Sequence, residues 1–267
     1  MIPLSPLAYV APNDARWVRL LGEAERLLPR YQAAMAGVSH ESKGIRRSEM
    51  FFFFSLVAGL NPTRIVESGR ARAQSTLVLS RLFPETAIVS LESDPDSPDV
   101  AVAAERLRDC ANVECRFGDS LQLLPELVQP GDVVLIDGPK DFRALKLALR
   151  LLDERKPAAV FVHDLWLGSP VRVFVDRSLR SALLSDEPRW VERYAMLDSQ
   201  QSPAPATDGR RRAYGATIGC FSAGAERYGS RLVQCRAAQG AARLRDTARK
   251  LLRRPALARP KDFALPR

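Results

Sequence analysis

Acidic side chains follow each of five short apolar segments in the middle of the chain. They are Glu67, Glu92, Asp119, Asp137 and Asp164. A single acid in such a place often caps a helix, because the first backbone amides of a helix need an acceptor. Core packing alone does not select five of them. Together they predict a site that binds hydroxyls, amines or a cation.

Two further side chains beside these acids can carry a proton. Lys140 comes three residues after Asp137, and His163 directly precedes Asp164. A lysine at the start of a helix places a positive charge beside the positive end of the helix dipole, which is unfavourable. This favours a functional role for Lys140 over that of an ordinary surface lysine. As a base it needs a pKa lowered toward neutrality. We interpret Lys140, Asp137 and His163 as candidate catalytic residues; the alternative for His163 is a core histidine at a strand end.

The first of these acids is followed by a tight turn of small residues. Ile65 belongs to a β-branched strand, and Gly69 permits a backbone angle or a close approach that a Cβ atom would block. Ala71 and Ala73 keep the turn slim before a helix begins. A strand, turn and helix of this kind aim unpaired amides at whatever lies over the turn, which predicts a ligand cradle. An ordinary strand-to-helix loop is the alternative.

Strands and helices alternate from residue 63 onward. The strands are short and apolar on both faces, which is typical of a buried parallel sheet. This order predicts an α/β fold, a doubly wound, mostly parallel Rossmann-like sheet. The predicted strands cover 63–67, 87–92, 113–117, 132–137 and 158–163, and the helices cover about 73–83, 98–110, 120–128, 142–153 and 170–184. Two last strands, 190–197 and 214–221, flank a polar loop at 199–212 and predict an antiparallel closing hairpin.

The segment before this alternation predicts two helices. One runs from Asn13 or Asp14 to about residue 36, and the other is capped by Ser48 and contains four consecutive phenylalanines, 51–54. Aromatic residues around the whole circumference predict burial on more than one side. The apolar helices also offer an interface for a homodimer. We therefore divide the chain into an N-terminal helical extension (1–60), an α/β domain (61–225) and a basic C-terminal tail (226–267).

Composition narrows the classes of protein. The 267 residues are 46% hydrophobic, which suits one large domain with appendages. No apolar run is long enough for a membrane span, and no basic and then apolar segment predicts a signal peptide. The four cysteines form no Cys-x-x-Cys pair and predict free thiols of a reducing compartment such as the cytoplasm. Two histidines exclude a three-histidine metal site.

The net charge of +9 is concentrated at the C-terminus. Nine Lys or Arg against two Asp from residue 240 onward give that segment +7 and leave +2 for the remainder. The body is thus nearly neutral and lacks interleaved aromatic and basic residues, so nucleic acid is not an expected partner. The tail is either a solvated extension or a contact for an anionic surface.

Residues 63–164 resemble the core of a class I S-adenosylmethionine-dependent methyltransferase, and the wider likeness covers roughly 40–222. The motifs are Glu-Ser-Gly-Arg-Ala-Arg-Ala-Gln-Ser at 67–75, Val-Ser-Leu-Glu at 89–92, Phe-Gly-Asp-Ser at 117–120 and Val-Val-Leu-Ile-Asp-Gly-Pro-Lys-Asp at 133–141. The last of these and Phe-Val-His-Asp at 161–164 are similar to catechol-type O-methyltransferases. The segment Ser-Lys-Gly at 42–44 resembles the part that closes over the cofactor in that group.

This resemblance implies an enzyme that transfers a methyl group from S-adenosylmethionine to a hydroxyl of a small molecule or sugar. The cofactor would be held by residues at the first four strand ends: Glu67, Gly69, Ala73, Ser75, Glu92, Asp119, Ser120 and Asp137. Asp137 and Asp164 match aspartates that hold a metal in the catechol-type enzymes. The third metal ligand of that group is replaced here by Leu165, so the resemblance leaves Mg²⁺ open.

Other classes of enzyme fit less well. A nicotinamide-dependent dehydrogenase needs G-x-G-x-x-G at the first turn, where this chain has only Gly69. A hydrolase elbow of the form G-x-S-x-G and a phosphate-binding G-x-x-x-x-G-K-[ST] loop are both missing from the sequence. The strongest alternative is a methyltransferase-like fold without turnover that serves as a binding or scaffold protein through its basic tail.

Overall fold

Parallel strands dominate the sheet, as the alternating pattern predicts. The structure is a computed structural model that describes residues 13–39, 41, 44–198 and 217–252. In these residues seven strands form one sheet in the order β3-β2-β1-β4-β5-β7-β6. Their bounds are β1 Arg64–Ser68, β2 Ala87–Glu92, β3 Val113–Phe117, β4 Val133–Ile136, β5 Ala159–Val162, β6 Leu183–Leu184 and β7 Gly219–Ser222. The chain thus has the predicted doubly wound Rossmann-like α/β sheet, with the strand order reversing between β1 and β4.

Helices cover both faces of this sheet. In chain order they are α1 Asn13–Met35, α2 Arg47–Val57, α3 Gln74–Leu82, α4 Asp99–Leu107, α5 Ser120–Leu127, α6 Asp141–Glu154, α7 Pro170–Ser178, α8 Pro188–Tyr194 and α9 Tyr228–Leu252. Side chains alternate across each strand, so neighbours in β1 enter different cores. Ile65 packs with α1, α2 and α3 in the core on one face, which we call the first core. Val66 packs with α5, α6 and α7 in the core on the other face, the second core.

Helix α2 lies entirely inside the first core. Its four phenylalanines are fully buried and contact Tyr31, Phe161 and Trp190 from three other parts of the chain. The helix begins at Arg47, so Ser48 is not its cap. Ser48 instead donates through its backbone amide and hydroxyl to Asp198, at 2.9 and 2.6 Å. Because the four phenylalanines of α2 are fully buried, they are not available as an interface for a second copy of the chain.

The closing antiparallel segment differs from the predicted hairpin. Strand β7, which overlaps the predicted strand 214–221, pairs antiparallel with β5 and with the two-residue β6, and not with residues 190–197. Residues 190–197 are not a strand. They belong to α8 and to the short 3₁₀ turn that follows it. Trp190 and Tyr194, four residues apart, are both buried, which is the spacing of one helix face. Predicted helix 170–184 ends at Ser178.

Three sequence features fall wholly or partly outside the described residues. They are Ser42 and Lys43 of the cofactor-closing segment, the loop 199–212 and the tail beyond Leu252. The described part of the tail is α9, which buries Tyr228 and Cys235 in the second core. No helix in the described ranges is long and apolar enough to cross a membrane.

Candidate active site

A cavity opens above the carboxyl ends of β1, β2, β3 and β4, where the strand order reverses. Its volume is about 290 Å³. The wall combines apolar Leu91, Leu121 and Pro139 with polar Ser93, Asp119, Ser120 and Arg143, and with the backbone of Gly69, Gly118 and Gly138. Ligands bind at this place in open α/β sheets. The structure therefore brings three predicted cofactor residues, Gly69, Asp119 and Ser120, to one cavity.

A narrow cleft continues from Gly69 toward the start of α3. Its volume is about 20 Å³, which is room for about one water molecule. The Gln74 side chain crosses this cleft: its amide oxygen accepts from the Glu41 backbone amide, and its amide nitrogen donates to the Ile45 carbonyl. The Gln74 side chain therefore has to move before a ligand larger than water can enter the cleft.

Gly69 is required by the close approach of β1 to the residues after β4. Its φ is +88°, and a Cβ atom there would lie 2.9 Å from the Asp137 carbonyl carbon and the Gly138 amide nitrogen. The Gly69 and Arg70 amides donate to the Leu91 carbonyl at 3.1 and 3.0 Å. Gly69 thus allows the end of β1 to pack directly against the backbone that follows β4, at the base of the cavity.

The two alanines of this turn adopt the left-handed conformation that glycine favours. Ala71 has φ 43° and Ala73 has φ 59°. The Ala71 amide donates to Glu92, and the Ala73 amide donates to the Arg70 carbonyl. With the Gly69 and Arg70 amides already bonded, these four amides all have partners within the chain. The sequence-based expectation of free amides over the turn is therefore wrong for them.

Glu67 lies behind the turn in a cluster of hydroxyl groups. Its two carboxylate oxygens accept from Ser75, Thr76 and Ser90 at 2.5 to 2.9 Å, and the side chain is fully buried. Burial raises the pKa of Glu67, although the three hydroxyls oppose that rise. Glu67 and Ser75 thus contact each other, and both brace the turn.

Glu92 folds back against the turn. One carboxylate oxygen accepts from the Ala71 amide at 2.8 Å, and the other accepts from the Ser93 amide at 2.8 Å. The Ser93 hydroxyl and the Asp94 amide also donate to that second oxygen, Oε1, so Oε2, with its single bond, is the atom that has capacity for a ligand hydroxyl. Asp119 caps α5 by accepting from the Leu121 amide, and Ser120 donates to the Gly138 carbonyl at 3.0 Å.

A network of charged side chains adjoins the cavity at the ends of β4 and β5. The Lys140 ammonium lies 2.6 Å from Oδ1 of Asp137 and 2.5 Å from Oδ2 of Asp164. His163 Nδ1 lies 2.7 Å from the same Asp137 oxygen. The structure therefore joins all three predicted catalytic residues and Asp164 in one network.

Glu49 completes this network from the opposite side. Its Oε2 atom lies 3.2 Å from His163 Nε2 and 3.1 Å from the Arg46 amide, which donates to it. Glu49 is almost fully buried at the start of α2. The sequence analysis missed this residue, although a lone acid before four phenylalanines signals a buried charge that needs a partner.

Three carboxylates, those of Glu49, Asp137 and Asp164, keep His163 and Lys140 protonated. Burial alone would lower the pKa of His163, but Glu49 and Asp137 raise it to about 10. Burial alone would also lower the pKa of Lys140, but Asp137 and Asp164 outweigh it and raise that pKa. The predicted lowering of the lysine pKa is therefore wrong, because two carboxylates contact the ammonium. Burial raises the pKa of Asp137, but His163 and Lys140 outweigh it and the net shift is downward.

The loop after β5 holds Asp164 in a fixed conformation. Asp164 has φ 61°, a left-handed angle that costs about 1–2 kcal/mol for a residue with a Cβ atom. Its neighbour Leu165 is anchored on both sides: the Leu165 amide donates to Thr217, and its carbonyl accepts from buried Arg172. Strain that the surrounding structure enforces is typical of functional loops.

The residues present suit S-adenosylmethionine better than a divalent metal. The cavity offers apolar walls and hydroxyl-binding polar groups to an adenosine, and Asp137 offers a negative charge to a sulfonium. Oxygens of Asp137 and Asp164 and a nitrogen of His163 lie within 4.8 Å of one another, a spacing that a metal ion accepts. The Lys140 ammonium, however, already contacts both aspartates.

Comparisons with known proteins give the following relatives. No family profile and no curated protein matches the sequence. Among solved structures the chain is similar to the O-methyltransferase TomG from Streptomyces achromogenes, in complex with SAM: 21% identity, 80% of this chain, 100% of that chain, TM-score 0.45. It is also similar to an O-methyltransferase from Bacillus cereus in complex with SAH: 20% identity, 75% and 90% coverage, TM-score 0.44. The SAH-bound methyltransferase PaMTH1 from Podospora anserina gives 16% identity, 80% and 97% coverage, TM-score 0.43.

Proposed function

We propose that the protein is a methyltransferase that uses S-adenosylmethionine to methylate a hydroxyl of a small molecule or sugar. One observation carries the proposal: the cavity at the strand-order reversal shares its Gly69 and Gly138 wall with the network of Asp137, Lys140 and Asp164. A cofactor site and a set of charged groups for an acceptor thus adjoin each other.

In this proposal the cavity residues bind the cofactor. Ser93, Asp119 and Ser120 line the cavity and contact its adenosine, and Asp137 lines the adjoining cleft and faces its positive end. Glu92 lies in sequence between the lining residues Leu91 and Ser93 and accepts from its ribose hydroxyls. Gly69, Glu67, Ala73 and Ser75 shape the turn beneath it. When bound, the cofactor supplies a methyl group already activated by a sulfonium.

The network then positions the acceptor. The Lys140 side chain is 45% exposed, so its ammonium can donate a hydrogen bond to an acceptor oxygen while Asp137 and Asp164 hold it in place. A fixed positive charge next to that oxygen lowers the pKa of the acceptor hydroxyl, so that its proton passes to solvent water, and stabilises the negative charge left on the oxygen. His163 and Glu49 fix Asp137 from the buried side.

Methyl transfer to a panel of small acceptors tests this proposal. Labelled S-adenosylmethionine is incubated with the protein and with phenols, sugars, amines or carboxylic acids. The proposal expects label on a hydroxyl oxygen, lost in Lys140→Met. Cofactor binding without transfer to any acceptor would instead support the alternative, a binding or scaffold protein.

A further inference from the structure

One ammonium group bridges two carboxylates that come from different strands. Lys140 directly precedes α6, Asp137 follows β4, and Asp164 follows β5. The lysine nitrogen lies 2.6 and 2.5 Å from the two acids, within charge-assisted hydrogen-bond distance of both. We propose that the Lys140 ammonium is the resident cation of this site, and that the site excludes a divalent metal ion.

Space and charge both support this exclusion. Mg²⁺ binds carboxylate oxygens at about 2.0–2.1 Å and Ca²⁺ at about 2.3–2.6 Å. A metal ion between Asp137 and Asp164 would therefore occupy almost the same position as the lysine nitrogen. The ammonium would also repel it, because two cations at this separation interact unfavourably.

The other donors around the site are already engaged. Each ring nitrogen of His163 faces a carboxylate, Nδ1 toward Asp137 and Nε2 toward Glu49. An ionised carboxylate can only accept a hydrogen bond, so Nδ1, 2.7 Å from Asp137, carries the proton of this contact and has no lone pair for a metal. Histidine therefore adds no metal ligand on the open side of the network.

The position after Asp164 also lacks a ligand. Leu165 is 1% exposed and packs in the second core. Its carbonyl oxygen accepts from Arg172 at 3.2 Å. Among the described residues of this cluster, the carboxylates of Asp137 and Asp164 remain as metal ligands, and the Lys140 ammonium contacts both.

This inference rests on the proposed function, but its test measures the binding of a metal ion and does not depend on methyl transfer. Binding of Mn²⁺, which prefers carboxylate ligands, is measured by the electron paramagnetic resonance signal of the free ion. The samples are wild type, Lys140→Met, Lys140→Arg and the double variant Lys140→Met/Asp164→Asn. Lys140 is half-exposed, so these variants keep the core, and thermal unfolding checks their fold.

The expected pattern has four parts. Wild type and Lys140→Arg leave Mn²⁺ free, Lys140→Met binds it about tenfold more tightly or better, and the double variant loses that gain. Stoichiometric binding of Mn²⁺ by wild type would overturn the inference, and so would the lack of any gain in Lys140→Met. Titration of the same samples with S-adenosylmethionine shows separately whether the proposed cofactor binds.

Discussion

Glu49 and His163 contact each other across 114 residues of sequence, with 3.2 Å between Oε2 of the acid and Nε2 of the imidazole. The contact joins helix α2 to the end of β5. Because the second nitrogen of the ring binds Asp137, a helix that precedes the sheet fixes the orientation of a candidate catalytic aspartate. The site is thus built partly by the N-terminal helices.

Removal of the Glu49 carboxylate should destabilise the protein strongly. Glu49→Ala leaves Nε2 of the buried His163 ring without its partner while Nδ1 keeps Asp137, and breaking a buried pair costs up to about 3–5 kcal/mol. Glu49→Gln keeps an acceptor oxygen and should cost less. Urea unfolding measures both, with Glu105→Ala as the control. Exposed Glu105 pairs with exposed Arg108, and its removal should change stability by less than about 1 kcal/mol. Equal effects of Glu49→Ala and Glu105→Ala would contradict the buried pair.

Stability should fall as the pH rises from neutrality. The folded state raises the pKa of His163 from about 6.5 to about 10, so it binds this proton more tightly than the unfolded state does. The resulting stabilisation is complete below about pH 6.5 and is lost as the pH rises through about 10. Urea unfolding between pH 6.5 and 9.5 measures the fall. In His163→Asn the fall should be smaller; an unchanged pH profile would show that His163 is not the titrating group.

Replacement of Ala71 by glycine should stabilise the turn. A left-handed alanine costs about 1–2 kcal/mol, while a new glycine costs about 0.4–1 kcal/mol through the unfolded chain. The expected net gain is about 0.5 kcal/mol. Ala101→Gly on exposed α4 is the matched control and should lose about 1 kcal/mol, because its backbone is helical. Losses of the same size at both positions would argue against the left-handed turn.

A Cβ atom at Gly69 should damage both the fold and the cofactor site. Gly69→Ala adds left-handed strain and a 2.9 Å contact with the backbone at Asp137 and Gly138. Gly131→Ala is the matched control, since Gly131 has φ +86° but nothing within 4 Å of its added Cβ atom. Both variants should lose about 1 kcal/mol through strain. Only Gly69→Ala should also lose S-adenosylmethionine in a calorimetric titration, and loss in both would contradict a local role.

Short apolar runs located β1, β2, β4 and β5, because strands that are mostly buried on both faces have such sequences. Strand β3 lies at the edge of the sheet with three exposed residues, and the alternation of strands and helices located it. The region after Ser178 was predicted less well. Strand β6 has two residues, too few for a periodic signal. In 188–194 the helix signals were Pro188 at the first turn and apolar residues four apart at 190 and 194, and the β-type reading overlooked them.

The site was predictable as far as strand topology determines it. Asp137, Lys140, His163 and Asp164 meet because β4 and β5 are parallel neighbours. Glu49 was not found, since no local pattern places a residue of α2 against β5. The left-handed angles of Ala71 and Ala73 were also not visible, because alanine gives no sequence signal for φ > 0.

The most direct test of the account is a calorimetric titration of the wild-type protein with S-adenosylmethionine, beside a Glu92→Ala variant. We expect one molecule bound per chain with a micromolar dissociation constant, and weaker binding in the variant. Glu92 holds the Ala71 amide, and it accepts from the ribose in the proposed complex. Unchanged affinity in the variant would place the cofactor elsewhere. No heat of binding in folded wild type would contradict the methyltransferase proposal.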